Sequence, residues 1–259
     1  MRRTGLLSVS VVRSRQTQVA LGVGIFALLV NVIVLGAVSE DVAQRDGETV
    51  LDARRLQWIV DHRQAWLVTT ARWFDTVGAV GVVAFASLVV AFVLWSRGAS
   101  RVASSIPLAA VATASAVAAV LKIAFDRARP GRALQLVAET GHSFPSGHAT
   151  ASMAIGLSVA MVTSLYMLRK TWVRIVVLLA GIFVPVGVGA TRLELGVHWP
   201  TDVLAGFALG AAAALTATGV CVWIATLRNG TGLSMPEQQT RFRRFVAFAQ
   251  GSRKPKTLR

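Results

Sequence analysis

The sequence predicts an all-α, polytopic membrane protein: a bundle of six transmembrane helices with amphipathic helices lying across its outer side. Three observations predict it. Of the 259 residues, 54% are hydrophobic and 15% charged, too few charges to cover the surface of a water-soluble domain of this length. The mean hydropathy is +0.60. Six apolar stretches approach the roughly 17–25 residues that a helix needs to cross a bilayer. The same composition excludes a disordered chain, a collagen-like repeat and a disulfide framework. The single cysteine, Cys221, falls in an apolar run and reads as a small hydrophobe.

In chain order the stretches are approximately Val19–Val38, Val77–Trp95, Val102–Leu121, Ala149–Leu168, Ile175–Ala190 and Val203–Leu227. Ala37 and Ser39 could mark a signal-peptide cleavage site, but the apolar run before them exceeds the roughly 7–15 residues of a signal peptide, so a retained anchor is expected. Between the first two spans, Leu51, Trp58, Ile59, Trp66, Leu67, Trp73 and Phe74 recur near helical spacing among Arg and Asp, which predicts one or two interfacial helices. The fifth span carries Pro185 and several glycines, so a tilted or kinked helix is expected. On the last, Gly206 and Gly210 form a small-xxx-small pair, expected to pack within the bundle rather than form a dimer face. Trp95, Trp172, Trp199 and Trp223, near span ends, fit interfacial anchoring. The predicted organisation is a basic cytoplasmic tail over 1–18, a six-span domain over 19–227 whose motifs lie in 122–202, and a second basic cytoplasmic tail over 228–259.

The net charge of +15 would suggest nucleic acid in a soluble protein. Here the topology disperses it. Seventeen of the 27 Lys and Arg lie in the two tails and the second-to-third and fourth-to-fifth loops, and ten on the opposite side. The positive-inside rule places the richer side, with both termini, in the cytoplasm. No nucleic-acid partner is expected. In the C-terminal tail, Phe242, Phe245, Val246 and Ala249 beside Arg241, Arg243 and Arg244, with Lys254 and Lys256 following, suit anionic lipid headgroups.

Chemistry concentrates in two loops. One runs from Lys122 through Asp126, Arg127, Arg129-Pro130 and Arg132 to His142 and Pro145-Ser146-Gly147-His148; the other runs from Thr191-Arg192 to His198 and Asp202. Spans four and five separate them, so both loops lie on one face, the extracytoplasmic one by the orientation above. Lys122, Arg129 and Arg192 form a cation set without evident matching carboxylates, which suggests a dianionic ligand, a phosphate above all. Ser146 and Gly147 precede the fourth span, so their N–H groups would stand at a helix N-terminus, where anions are favoured. His198 and Asp202, four residues apart, can pair across one helical turn, leaving one ring nitrogen free as a nucleophile. His148 is then available as general acid and base.

These residues resemble the pattern of the type 2 phosphatidic acid phosphatase superfamily, membrane lipid phosphatases related to vanadium haloperoxidases. Lys122 with Arg129-Pro130, Pro145-Ser146-Gly147-His148, and Arg192 with His198 and Asp202 match its three elements in order and spacing. Thr191 replaces the usual Ser and keeps the hydroxyl. The resemblance covers roughly residues 52–226. It implies that His198 attacks phosphorus to give a phosphohistidine, that Asp202 orients it, and that His148 protonates the leaving oxygen and then activates water. Lys122, Arg129, Ser146, Gly147 and Arg192 would hold the phosphoryl oxygens. No metal or other cofactor is implied, and the carboxylates in the two loops (Asp126, Glu139, Glu194, Asp202) offer no paired arrangement for a two-metal site. His142 is expected to bond within its loop or touch a headgroup, and Arg127 and Arg132 to widen the anionic field or face solvent.

The expected activity is metal-independent hydrolysis of a membrane lipid phosphate or diphosphate at the outer face of the cell membrane, with a polyprenyl phosphate or diphosphate ahead of phosphatidate and phosphatidylglycerol phosphate. A headgroup-binding or transport protein without turnover would use the same cations. It would give no reason for two histidines and an Asp one turn after the second.

Overall fold

The computed structural model describes residues 5–44, 47–168 and 170–230. The expected C-terminal lipid-binding segment lies outside them. Every regular element among the described residues is helical: α1 (Gly5–Gln44), α2 (Gly47–Asp61), α3 (Ala65–Gly78), α4 (Val80–Ser96), α5 (Arg101–Phe125), a short 3-10 turn (Arg132–Leu134), α6 (Gly147–Tyr166), α7 (Thr171–Glu194) and α8 (Pro200–Gly230). Helix α1 begins well inside the stretch expected as a tail. Five helices (α1, α5, α6, α7 and α8) are long and apolar enough to span a bilayer. The second span departs from expectation. The chain breaks at Ala79, α4 has only 17 residues, and it meets the spanning criterion together with α3, from which it is bent by 59°. With α3 and α4 counted as one broken span the crossings number six.

Helix α6 sits at the centre against α5, α7 and α8. Of its spanning window 56% is buried, and of α8's 50%, against 22% for α5 and for α7. The residues explain the order. Lipid is as apolar as a leucine side chain, so helices gain by close backbone approach at small residues. Ala149, Ala151 and Ala154 of α6 and Ala205, Ala208 and Ala214 of α8 are buried, whereas Phe85, Phe92, Ile123 and Phe183 on the outer helices are more than 60% exposed toward lipid. Gly206 and Gly210 meet α6: their faces lie against Ser146, Ala149 and Thr150 and against Thr150 and Met153. The small-residue pair is therefore an internal packing face. Pro185 does not interrupt α7; it packs on Gly156 where α6 and α7 cross. Several buried hydroxyls close on their own helices, as in Ser158 to the Ala154 carbonyl at 2.5 Å and Thr218 to that of Ala214 at 2.8 Å, which satisfies those donors within the helix.

The amphipathic segment forms two helices, as the periodicity allowed. Leu56 and Ala71 turn inward, while Trp58, Trp66 and Trp73 are 63–73% exposed, the arrangement of helices seated in an interface. Their connection is pinned to the bundle by Arg63, which donates to the carbonyls of Glu194 (2.8 Å) and Leu134 (2.7 Å). That draws α2 and α3 onto the end of the bundle where both motif loops lie.

Candidate active site

Four helix ends converge at this site: the C-termini of α5 and α7 and the N-termini of α6 and α8. Gly196 closes α7 at φ +69°, a left-handed turn, and a side chain there would meet the Leu134 carbonyl and Arg63. Only glycine fits both conditions. The turn sends Val197 and His198 back into the bundle.

His198 is 2% exposed, and its Nδ1 lies 3.3 Å from Asp202 Oδ2. The pairing crosses a helix cap rather than a helical turn. Helix α8 starts at Pro200, and Asp202 in its first turn reaches back to accept the Trp199 N–H at 2.9 Å, half of a capping box. His198 stands just outside the helix, within reach of the same carboxylate oxygen, which also accepts a short hydrogen bond from Ser143 Oγ. With Nδ1–H directed at Asp202, the lone pair is on Nε2, 3.1 Å from Arg129 Nη1. Burial pushes the His198 imidazole down to about 4, against the opposing pull of Asp202, so the ring is neutral and nucleophilic at neutral pH.

Arg129 reaches that nitrogen, and the charge of Arg192 also acts on the ring. Arg129 also donates to the carbonyls of Val197 (2.9 Å) and Gly141 (3.2 Å); burial pulls its guanidinium below the ordinary value, Glu139 opposes this and Arg192 adds to it. Arg192 is completely buried. Lys122 donates to the His142 carbonyl at 2.8 Å. His148 Nε2 lies 3.1 Å from the Asp75 carbonyl and 3.5 Å from its carboxylate.

The expectation of cations without carboxylates does not hold. Arg192 pairs with Asp75 through Nη1 and with Glu139 Oε1 through Nη2 at 2.6 Å, and Arg129 Nη2 stands 3.4 Å from Glu139 Oε2. Asp75 comes from α3, outside the two motif loops. Carboxylate oxygens thus occupy the guanidinium forks that suit phosphoryl oxygens. Arg192 Nε and Ser146 Oγ, both at this end of the bundle, are among the buried donors left without a partner among the described residues. Nor is the Ser146 N–H available to a ligand, because it donates to the Asp202 carbonyl at 3.0 Å. The free helix-terminal donors of α6 therefore begin at Gly147.

Two further readings change, those of Arg127 and Trp199, while His142 bonds within its loop, one of the two expectations for it. Arg127 does not face solvent; it is 10% exposed and bridges Asp202 (2.5 Å) and Asp52 (2.8 Å). His142 pairs with Asp126 at 2.8 Å and lends the site only its carbonyl. Trp199, read as an interfacial anchor, donates to the Ala128 carbonyl at 2.9 Å and lies 5.7 Å beneath the Arg127 guanidinium. Arg132 is exposed, as one of its two readings had it. Asp52, Asp75 and Ser143 carried no sequence signal, since an Asp among arginines on an amphipathic helix looks like a solvated face.

Comparison with known proteins places this geometry. The chain is 43% identical over 93 residues to phosphatidylglycerophosphatase B of Bacillus subtilis, a match covering 35% of this chain and 44% of that protein. The crystal structure of a transmembrane PAP2-type phosphatidylglycerolphosphate phosphatase from Bacillus subtilis superposes with a TM-score of 0.66 at 24% identity, covering 76% of this chain and 94% of the other. That of LpxE from Aquifex aeolicus superposes with a TM-score of 0.51 at 23% identity, covering 65% and 94%. At these identities the two structures establish the shared fold. A family model described as the PAP2 superfamily matches residues 103–226, a stretch that holds every one of the motif residues.

Proposed function

We propose that this protein is a lipid phosphatase that hydrolyses a phosphomonoester or diphosphate at the membrane surface through a phosphohistidine. The observation that carries the reading is the buried His198–Asp202 pair, with Nε2 presented to the guanidinium of Arg129. A phosphoryl group entering between Arg129 and Arg192 would exchange the Glu139 and Asp75 carboxylates for its own oxygens. His198 Nε2 then attacks phosphorus as the ester or anhydride P–O bond breaks, and His148 gives its proton to the leaving oxygen. In the second half His148 takes a proton from water, whose oxygen attacks phosphorus and releases His198 and phosphate. Asp202 balances the positive charge that the ring gains in between, and the guanidiniums balance the equatorial oxygens. These donors suit a phosphoryl group without a metal ion, and the lipid tail stays in the bilayer.

Two lipid classes compete. A polyprenyl diphosphate suits an outward-facing site, the orientation we infer from the distribution of Lys and Arg. Phosphatidylglycerol phosphate is favoured by the name of the Bacillus subtilis relative. Phosphate release from a panel of prenyl diphosphate, prenyl phosphate, phosphatidate and phosphatidylglycerol phosphate, with chelator present and His198→Ala in parallel, separates them. Release that survives chelator and disappears in the variant is expected; release from no lipid, or loss with chelator, refutes the reading. For orientation, a cysteine introduced at the exposed Thr140 should react with an impermeant thiol reagent in intact cells. Labelling only after permeabilisation would invert the topology.

A further inference from the structure

Beyond the motif residues, the most enclosed polar cluster joins the interfacial helix α2 to the nucleophile. Asp52 of α2 and Asp202 of α8 are both fully buried, and Arg127 lies between them. One terminal nitrogen donates to Asp202 Oδ1 at 2.5 Å and to Thr201 Oγ1 at 2.7 Å; the other donates to Asp52 Oδ2 at 2.8 Å. Asp52 is itself held by the start of α8, accepting from the Thr201 N–H at 3.1 Å and from the Thr201 hydroxyl. Every oxygen of Asp202 is therefore committed: Oδ2 to His198, Trp199 and Ser143, Oδ1 to Arg127. A buried carboxylate so surrounded has one orientation, and that orientation sets the His198 ring.

The charges argue for more than packing. Two buried carboxylates share one guanidinium, so the cluster holds one negative charge beyond what Arg127 cancels. Were Arg127 paired with Asp202 alone, it would neutralise the carboxylate that must balance His198 when the ring becomes cationic. Asp52 divides the guanidinium and leaves Asp202 with charge to give. The deficit is made up when the phosphorylated imidazole carries its positive charge.

We infer that Asp52 and Arg127 are positioning residues for phosphoryl transfer, through which the interfacial helix α2 holds Asp202 against His198. The inference rests on His198 being the nucleophile. Its test is steady-state and single-turnover phosphate release by Asp52→Asn and Arg127→Gln, each alone and combined with Asp202→Asn. Alone, each should lower kcat by about tenfold to a hundredfold with KM within about twofold, the pattern of an interaction made through the nucleophile and not with bound lipid. On the Asp202→Asn background each should cost less than about twofold more, because the residue through which they act is already impaired. Equal losses in both backgrounds would mark a purely structural pair and overturn the inference, as would an unchanged kcat in either single variant. Should Arg127→Gln fail to fold, Asp52→Asn carries the test alone, being of the same size and able to accept from Arg127 and the Thr201 hydroxyl through its one amide oxygen, with the bond from the Thr201 N–H lost. A wild-type protein inactive on every lipid, or an active His198→Ala protein, would instead bring down the phosphatase reading itself.

Discussion

Replacing Gly206 by Ala tests whether the contact between α6 and α8 sets the catalytic geometry. A Cβ at this position would stand 2.8 Å from the Ser146 carbonyl oxygen, 2.9 Å from Ala149 Cβ and 3.1 Å from Thr150 Oγ1. Ordinary contact begins at 3.4 Å, so the helices must separate by the difference of 3.4 and 2.8 Å, about 0.6 Å. Backbone cannot swing aside as a side chain would. The displaced turn is the one that carries Ser146, Gly147 and His148, and it faces the end of α8 that carries Asp202. Overpacking costs about 1–3 kcal/mol, but alanine recovers about 1 kcal/mol of helix propensity, so the net loss of stability is small. Rate is more sensitive: a misplacement of about 1 Å costs on the order of a hundredfold, and 0.6 Å accordingly about tenfold. The expected result is a roughly tenfold fall in kcat with an apparent Tm within a few degrees of wild type. Gly219→Ala, in the same helix with nothing within 4 Å of the added carbon, is the control and should leave kcat unchanged with a Tm at or slightly above that of wild type. Wild-type turnover by Gly206→Ala would show that the approach of α6 to α8 does not govern the site.

His198→Ala should lose hydrolysis while remaining monodisperse in detergent; more than about a tenth of the wild-type rate would remove it as nucleophile. Asp202→Asn should lower kcat by on the order of a hundredfold or more through the lost orientation and charge balance, and an unchanged rate would deny the pairing a role. The pH dependence follows from the depressed His198 value. The ring is active when neutral, so kcat/KM should hold as pH falls below the ordinary 6.5 of histidine and decline only toward the value of about 4. A limb tied to His198 and centred near 6.5 would contradict its burial. Glu139→Gln removes the charge held against Arg192 and Arg129, so inorganic phosphate should inhibit at several-fold lower concentration, about the effect of 1 kcal/mol; weaker inhibition would mean that Glu139 does not compete with phosphate.

What was legible in the sequence divides along a physical line. Span positions follow from apolar length, and the three motifs follow from residue types whose chemistry is carried in few positions: Arg192, His198 and Asp202 fall within eleven residues, and the chain turn between α7 and α8 is local. Five of the six crossings were legible, with the sixth depending on whether α3 and α4 form one broken span; the break at Ala79 was not, because one continuous apolar run hides a change of direction. The carboxylates of Asp52 and Asp75 were invisible for a different reason. Each meets its partner across a long stretch of chain, 75 residues for Asp52 and Arg127 and 117 for Asp75 and Arg192. Nothing local distinguishes them from the solvated acidic residues of any amphipathic helix. The same blindness made Arg127 look like a surface charge.

The hidden carboxylates change how the site must work. A cluster of Lys122, Arg129 and Arg192 left open at the end of a bundle would hold three largely desolvated charges, a costly arrangement. Asp75 and Glu139 lower that cost before any ligand arrives, and in doing so they stand in the places a phosphoryl group needs. On the proposed reaction, the entering group gains only the difference between its own charge and that of the carboxylates it displaces. That difference favours a dianion over a monoanionic phosphodiester, and so a terminal phosphate over the diester linkages of the surrounding phospholipids. It also turns release into an exchange, since the carboxylates compete for the same guanidiniums as the phosphate product. On the proposed reaction, selectivity for terminal phosphates and a site that is not held shut by its product would both arise from the same two acidic residues.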